Sequence, residues 1–231
     1  MNKDLLKKNL EITGIDLDER AFERLAVYSE RLKETNRFIN LTAVTDDDGI
    51  AVKHFADSLS LLTAFDFKDG LKVMDLGTGA GFPGVPLLIA RPGIKLTLLD
   101  STAKKLNFIS ETLNILGLNA ETLHSRCEDA GKDAAYREKF DLVVSRAVAN
   151  MKVLSEYCLP FVKKGGVFIA MKSKKAGQEI DEAKEMIKTL GGEIKEIRDI
   201  NLIDGAQRCL VIVEKSGETP KKYPRNPGKI K

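Results

Sequence analysis

The chain is poor in the residues that build metal and disulfide sites. Its 231 residues include two histidines, His54 and His124, and three cysteines, Cys127, Cys158 and Cys209. Two histidines cannot form a histidine cage, and no Asp or Glu cluster stands at a spacing that would complete one. The cysteines are odd in number, far apart and without zinc-ligand spacing. They give no disulfide framework, and a reducing cytoplasm is the compartment expected. No apolar run approaches the roughly 18–20 residues needed to span a bilayer. The first residues, Met-Asn-Lys-Asp-Leu-Leu-Lys-Lys, mix both signs of charge and are not expected to act as a secretory signal. Charge of one sign is also lacking: 37 Lys and Arg face 34 Asp and Glu, a net of +3. Bulk charge is therefore no argument for nucleic acid. The composition, 43% hydrophobic and 31% charged, is that of a globular protein with a core of normal size. The length suits one α/β domain of roughly 150–180 residues with an extension.

Residues 1–65 read as a helical extension. Asp16 and Glu19 have capping-box spacing. Phe22, Leu25, Tyr28, Ser29 and Leu32 share one helical face, and after a polar break at 45–49 so do Ala51, Phe55, Leu59 and Leu62. From Leu71 the pattern changes. Strands are expected at 71–76, 95–99, 120–124, 141–144 and 167–171. Helices are expected at 103–116, 153–162 and 176–190, with Gly117 as a stop. Strands alternating with helices predict a doubly wound, mostly parallel α/β sheet over 66–215. Segments 193–200 and 208–214 have no helix between them and predict a terminal antiparallel pair. Residues 216–231 form a basic tail, with Lys215 just ahead of it and Lys221, Lys222, Arg225, Lys229 and Lys231 against Glu218. It is either a solvated terminus or a phosphate-binding arm.

The strongest motif is the loop from Asp75 through Gly77, Gly79, Gly81 and Phe82 to Gly84. It follows a strand and opens a helix, where Pro83 and Pro86 are tolerated. Its glycines permit positive φ and close approach to a ligand. Gly79-x-Gly81-x-x-Gly84 also fits a dinucleotide fingerprint, so an NAD(P)-dependent oxidoreductase is an alternative. Asp75 separates the two readings. A carboxylate at the loop repels a pyrophosphate and favours the sulfonium and ammonium of S-adenosylmethionine. Asp100, at the end of the second strand, with Ser101 after it, can accept both ribose hydroxyls or cap the next helix. Cys127 and Glu128 follow the third strand, where the sheet brings a loop against an adenine. Arg146 leaves the fourth strand in Ser145-Arg146-Ala147. The acceptor-rich Asn-Pro-Pro-Tyr set of exocyclic-amine methylases is absent there. No catalytic pair or triad stands out, which suits an acceptor with a free lone pair. Guanine N7 is such an acceptor. Orientation and a matched electrostatic pocket are then the enzyme's task, with Arg146 the best candidate for a direct role.

Several further segments carry a resemblance over nearly the whole chain. They are Asn40-Leu-Thr42, His54-x-x-Asp57-Ser58-Leu59, Lys104-Lys105 with Phe108, Arg126-x-Glu128 and Tyr223-Pro-Arg225-x-Pro-Gly228, besides the glycine loop. With them the chain resembles the bacterial small-subunit ribosomal RNA guanine-N7 methyltransferases, the glucose-inhibited division protein B family. The resemblance implies a seven-stranded methyltransferase sheet and 7-methylguanosine in 16S ribosomal RNA as product. It implies donor contacts from Gly77, Phe82, Cys127–Glu128 and Arg146. Cys127 stands where the family usually has Ala, and Ser173 follows Lys172 where Gly is expected. Lys172, Arg208, Lys221, Lys222 and Arg225 are candidate contacts to RNA phosphates. His54, Asp57 and Ser58 share a helix face and either frame the pocket or pin the extension. The expected partner is 16S ribosomal RNA or the small subunit, with the protein acting as a cytoplasmic monomer without metal or membrane. A non-catalytic RNA-binding protein working through its basic tail is the other alternative.

Overall fold

The computed structural model describes residues 1–226 and 228. Helix α1 (Lys3–Thr13) is capped by Asn2, whose side chain accepts from Leu5 N, and ends at Gly14 in the left-handed region. Gly14 and Ile15 fold back to close that end, Ile15 N donating to Leu10 O. The chain thus turns into α2 (Glu19–Asn36) only at Asp18, whose carboxylate accepts from Ala21 N at 2.7 Å. Asp18, not Asp16, is the cap. The expected apolar face of α2 is buried throughout.

The next helical segment departs from its expected two-sided pattern. It runs through α3 (Asp47–Gly49), a π-helical stretch (Ile50–Ala56), α4 (Asp57–Leu59) and a 3₁₀ turn (Ser60–Thr63). From residue 50 to 61 only Lys53 is exposed. The segment is wedged between α1 on one side and the helix after the glycine loop on the other, so it has no solvent face. A π-bulge in a buried helix is a common mark of a functional site.

Seven strands follow: β1 (Lys72–Leu76), β2 (Lys95–Asp100), β3 (Glu121–His124), β4 (Phe140–Arg146), β5 (Val162–Ser173), β6 (Gly192–Asn201) and β7 (Gln207–Lys215). They lie in the order β3-β2-β1-β4-β5-β7-β6. The first five are parallel. β7 runs antiparallel between β5 and β6, so the terminal hairpin is present with its last strand on the inside. Helices α5 (Gly84–Ala90) and α6 (Ala103–Leu116) cover one face with the N-terminal helices. Helices α8 (Met151–Cys158) and α9 (Gly177–Thr189) cover the other, and α7 (Cys127–Ala130) is one turn at the carboxyl edge. Alternate residues serve alternate cores: Val73, Leu142 and Val144 one, Met74 and Val143 the other. Burial on both faces is why these strands read as continuous apolar runs. Ser173 takes φ −75°, ordinary extended backbone that needs no glycine.

The tail is bolted to the sheet domain as far as it is described. Lys215 is fully buried, and its Nζ donates to Leu159 O at 2.9 Å and Thr219 Oγ1 at 2.7 Å while pairing with Glu138 at 3.1 Å. Arg137 donates to the carbonyls of Gly131, Thr219 and Tyr223. Arg225 grips the buried Glu156 through Nη2 at 2.7 Å and Nε at 3.0 Å. Lys221 and Lys222 are exposed. Lys229 and Lys231 lie outside the described residues.

Candidate functional site

Ligands of open α/β sheets sit beyond the carboxyl ends of the strands, where the strand order reverses. Here that point lies between β1 and β4. A cavity of about 330 Å³ opens there, lined among others by Gly77, Asp100, Ser101, Cys127, Glu128 and Tyr157. A larger hollow of about 600 Å³ lies at the opposite end, among the strand-opening residues Lys72, Lys95, Glu121 and Phe140. It is at the edge of the sheet that does not bind ligands, and the smaller cavity is the candidate.

The glycine loop is shaped by contacts from below and from the side. Gly77, Gly79 and Gly81 all have positive φ, at 72°, 60° and 102°. A Cβ on Gly77 would lie 2.4 Å from Val148 Cγ2, and one on Gly84 would lie 2.8 Å from Asp75 Oδ2. A Cβ on Gly79 would meet nothing within 4 Å, so that turn faces open space. Gly77→Ala combines a strained left-handed residue, roughly 1–2 kcal/mol, with the Val148 clash. Cofactor affinity is expected to fall by about tenfold or more, measured by calorimetry against the wild type.

Asp75 is fully buried beneath the loop rather than on the cavity wall. Its Oδ2 accepts from Thr78 Oγ1 at 2.6 Å and Gly84 N at 2.8 Å, tying the two ends of the loop together. Its Oδ1 is buried without a partner. Burial raises its pKa to about 6, against the opposing pull of the Thr78 and Gly84 hydrogen bonds. Asp100 holds the loop from the other side, Oδ2 accepting from Gly79 N at 2.9 Å and Oδ1 from Thr102 N at 2.8 Å. Each of its oxygens retains a lone pair for a ribose hydroxyl. At the far wall Glu128 is buried and accepts from the Cys127 thiol at 3.2 Å. Burial, with Glu128 beside it, pushes that thiol up, so Cys127 stays protonated and unreactive. Burial likewise raises Tyr157 to about 12. The cavity thus offers a carboxylate for ribose, a second one at its adenine end and buried negative charge under the loop. That donor set fits an adenosyl sulfonium.

A second constellation adjoins the loop. Arg146 donates to Asp57 Oδ2 at 2.8 Å and Lys53 O at 3.0 Å, and its Nη2 lies 3.4 Å from His54 Nδ1. His54 Nε2 meets Thr42 Oγ1 at 2.8 Å, and its ring stacks on Phe82 at 4.4 Å between centroids. Arg146 stands over the same Phe82 ring at 5.2 Å. Burial and then the Arg146 charge lower His54 to about 4. It is neutral at pH 7, donating through Nε2 and accepting at Nδ1. The extension therefore frames the site: His54 and Asp57 hold Arg146. Ser58 does not join them; its hydroxyl is turned back onto His54 O. Helix α2 adds Tyr28, whose hydroxyl donates to Ala80 O. In the sequence Tyr28 reads only as a core position, and Val148 and Tyr157 do not stand out at all. No local signal marks them; Val148 reaches Gly77 because Ala147 takes φ 56°.

The candidate RNA contacts divide. Lys172 donates to Ala149 O at 2.7 Å and pairs with Glu179 at 3.2 Å, and its side chain is mostly covered. Arg225 is engaged by Glu156. Arg208 lies 3.5 Å from Asp57. Lys221 and Lys222 are exposed, and Arg208 is partly so.

A family model for rRNA small subunit methyltransferase G matches residues 21–207. The chain belongs to the rRNA small subunit methyltransferase G family. It is 46% identical over 230 residues to a Clostridium perfringens ribosomal RNA small subunit methyltransferase G, covering 98% of this chain and 96% of the relative. A Pelotomaculum thermopropionicum relative of the same name is 47% identical over 227 residues, covering 97% and 95%. Among solved structures the sheet resembles M. jannaschii TYW2 in complex with AdoMet (TM-score 0.51, 17% identity, 66% of this chain and 72% of that one). It also resembles a Geobacter metallireducens precorrin-6y C5,15-methyltransferase (TM-score 0.53, 17% identity, 77% and 92%). The chain is an S-adenosylmethionine-dependent methyltransferase. The oxidoreductase alternative and that of a non-catalytic RNA binder are set aside.

The two buried titrating groups predict a pH signature. In the fold Asp75 holds its proton up to about pH 6, against an ordinary value of 3.8, so its ionisation costs stability as pH rises through that window. His54 loses its proton near pH 4 instead of 6.5, so its protonation costs stability as pH falls through that window. The two trends oppose each other between about pH 4 and 6. Of these two groups, Asp75 is the one whose charge bears on affinity for a cationic cofactor. It is expected to weaken below about pH 6, and binding there is expected to release a proton. Calorimetry in two buffers of different ionisation enthalpy measures that release, which Asp75→Asn abolishes.

Proposed function

We propose that the chain methylates N7 of a guanine in 16S ribosomal RNA, as a cytoplasmic monomer acting on the RNA or the small subunit. The observation that carries this reading is the absence of a free base beside Arg146, among the described residues. Both ring nitrogens of His54 are engaged, by Thr42 and Arg146. Asp57 is held between two arginines, and Asp75 is sealed under the loop. Guanine N7 carries no proton and needs no base. When bound, S-adenosylmethionine supplies a methyl group on a sulfonium, and displacement at N7 releases no proton.

The chain's own residues then orient and shield. Gly77, Asp100, Ser101, Cys127 and Glu128 seat the nucleoside end. Asp75 sets negative charge under the sulfonium side. Phe82 and Arg146 close that side toward the acceptor and keep water out. Lys221 and Lys222 meet RNA phosphates. No helix is long and apolar enough to cross a membrane, and no described cluster of His, Cys, Asp and Glu could hold a metal ion.

The test is transfer of labelled methyl from S-adenosylmethionine to unmodified 16S RNA and to small subunits, followed by mass spectrometry of the nucleosides. The expected product is 7-methylguanosine. Label confined to another nucleoside would overturn the N7 assignment.

A further inference from the structure

Two arginines share Asp57, and they differ in what remains free. Arg146 has its donors on Asp57, Lys53 O and His54. Among the described residues Arg208 has one ion-pair contact, Nε to Asp57 Oδ1 at 3.5 Å, and its terminal nitrogens have no hydrogen-bond partner. Asp57 Oδ1 itself makes no hydrogen bond, although the side chain is 4% exposed. The side chain of Arg208 is 31% exposed. The result is a guanidinium drawn toward a buried carboxylate at its Nε edge, with its terminal fork of donors unpaired among the described residues.

The strand layout puts that fork at the reacting edge. Arg146 pairs with Met171 across β4 and β5, and Arg208 pairs with Ser173 across β5 and β7. Because β7 is antiparallel, its amino end lies at the carboxyl edge of the parallel strands. Two strand spacings and a two-residue offset along β5, together about 12 Å, separate the Arg146 and Arg208 backbones, and Asp57 lies between their side chains.

We infer that Arg208 reads the acceptor base, donating to O6 of the guanine whose N7 is methylated. The inference rests on the N7 reading above. N7 and O6 are adjacent acceptors on one edge of guanine. A donor beside the place where N7 sits meets O6 first; adenine presents an amino group there and is repelled. The phosphate of the same nucleotide is a poorer match. Asp57 beneath the pair reduces two positive charges to one and so weakens the pull on an anion, while a hydrogen bond to a neutral base edge depends less on net charge. Asp57 is on this account a positioning residue that aims both guanidiniums.

The test pairs Arg208→Ala with 16S RNA joined by splinted ligation so that 2-aminopurine replaces the methylated guanine. That base keeps N7 and lacks O6. On guanine RNA, Arg208→Ala is expected to lower the single-turnover rate by about 10- to 100-fold, the worth of one charge-assisted hydrogen bond. Cofactor affinity should be unchanged, and melting temperature should fall only modestly, because Asp57 keeps its 2.8 Å bond from Arg146. On 2-aminopurine RNA, wild type and variant should be equally slow, and Arg208→Lys should recover part of the guanine rate. Equal losses on both RNAs would overturn the inference and assign Arg208 to phosphate or to structure. So would a loss of cofactor affinity matching the loss of rate. Absence of N7 methylation by the wild-type protein would instead remove the reading on which the inference rests.

Discussion

Arg146→Ala lowers methyl transfer by about 10²–10³-fold, the cost of deleting one preorganised cationic donor from a reaction centre, and destabilises the protein as well. The second effect follows from Asp57. Its Oδ2 loses the 2.8 Å bond from Arg146, leaving a buried carboxylate with one 3.5 Å contact to Arg208. Removing one partner of a buried ion pair typically costs about 3–5 kcal/mol. His54 and Phe82 lose the group that packs against both. Stability and chemistry are separated by the double variant. With Asp57→Ala added, the unpaired charge is gone and most of the stability is expected to return, while methyl transfer stays low. Thermal unfolding and single-turnover rates on the four proteins of the cycle measure the two effects independently. A double variant as active as the wild type would remove Arg146 from the chemistry.

Arg225→Ala is expected to unfold the protein more readily without changing the electrostatics of RNA binding. Glu156 is fully buried and Arg225 is its two-point partner. By the same reasoning the loss is about 3–5 kcal/mol, or roughly 6–20 °C in melting temperature for a chain of this size. Tyr157, next to Glu156 on α8, lines the candidate cavity, so cofactor affinity is expected to weaken with the brace. The salt dependence of RNA binding is a separate readout. Each phosphate contact contributes close to one unit to the slope of log affinity against log salt. Arg225→Ala should leave that slope unchanged, and replacing Lys221 and Lys222 by alanine should reduce it by about one to two units. A reduced slope for Arg225→Ala alone would return Arg225 to the RNA interface.

The sheet was legible in the sequence because its signals are local. Short apolar runs bounded by glycine and Asp100 are set by burial on two faces, and the turns that end them need particular residues. The glycine loop was legible for the same reason. Gly77, Gly79 and Gly81 stand where φ is positive, and the conformation can be read from residue type. The Arg146 cluster was not legible as a site. Its partners are separated by 89 residues for Asp57 and 92 for His54. Motif spacing marked each piece without showing that they meet. The anchoring of the tail was hidden for a related reason. A run of lysines and Arg225 reads as a solvated arm when Glu156, 69 residues earlier, cannot be seen. Asp75 was read for its charge, and its place under the loop depends on Gly84 packing against it. The segment at 50–61 was read as two-sided because periodicity reports hydrophobicity and not the number of faces covered.

We propose above all that the cavity at the β1–β4 switch point seats an adenosyl sulfonium above a buried carboxylate. Titration calorimetry of the wild-type protein with S-adenosylmethionine, its demethylated product and NAD(P) tests it most directly. The prediction is saturable one-to-one uptake of the first two, abolished by Asp100→Ala, and no heat from the dinucleotides. Tight binding of NAD(P) with none of the sulfonium would contradict it.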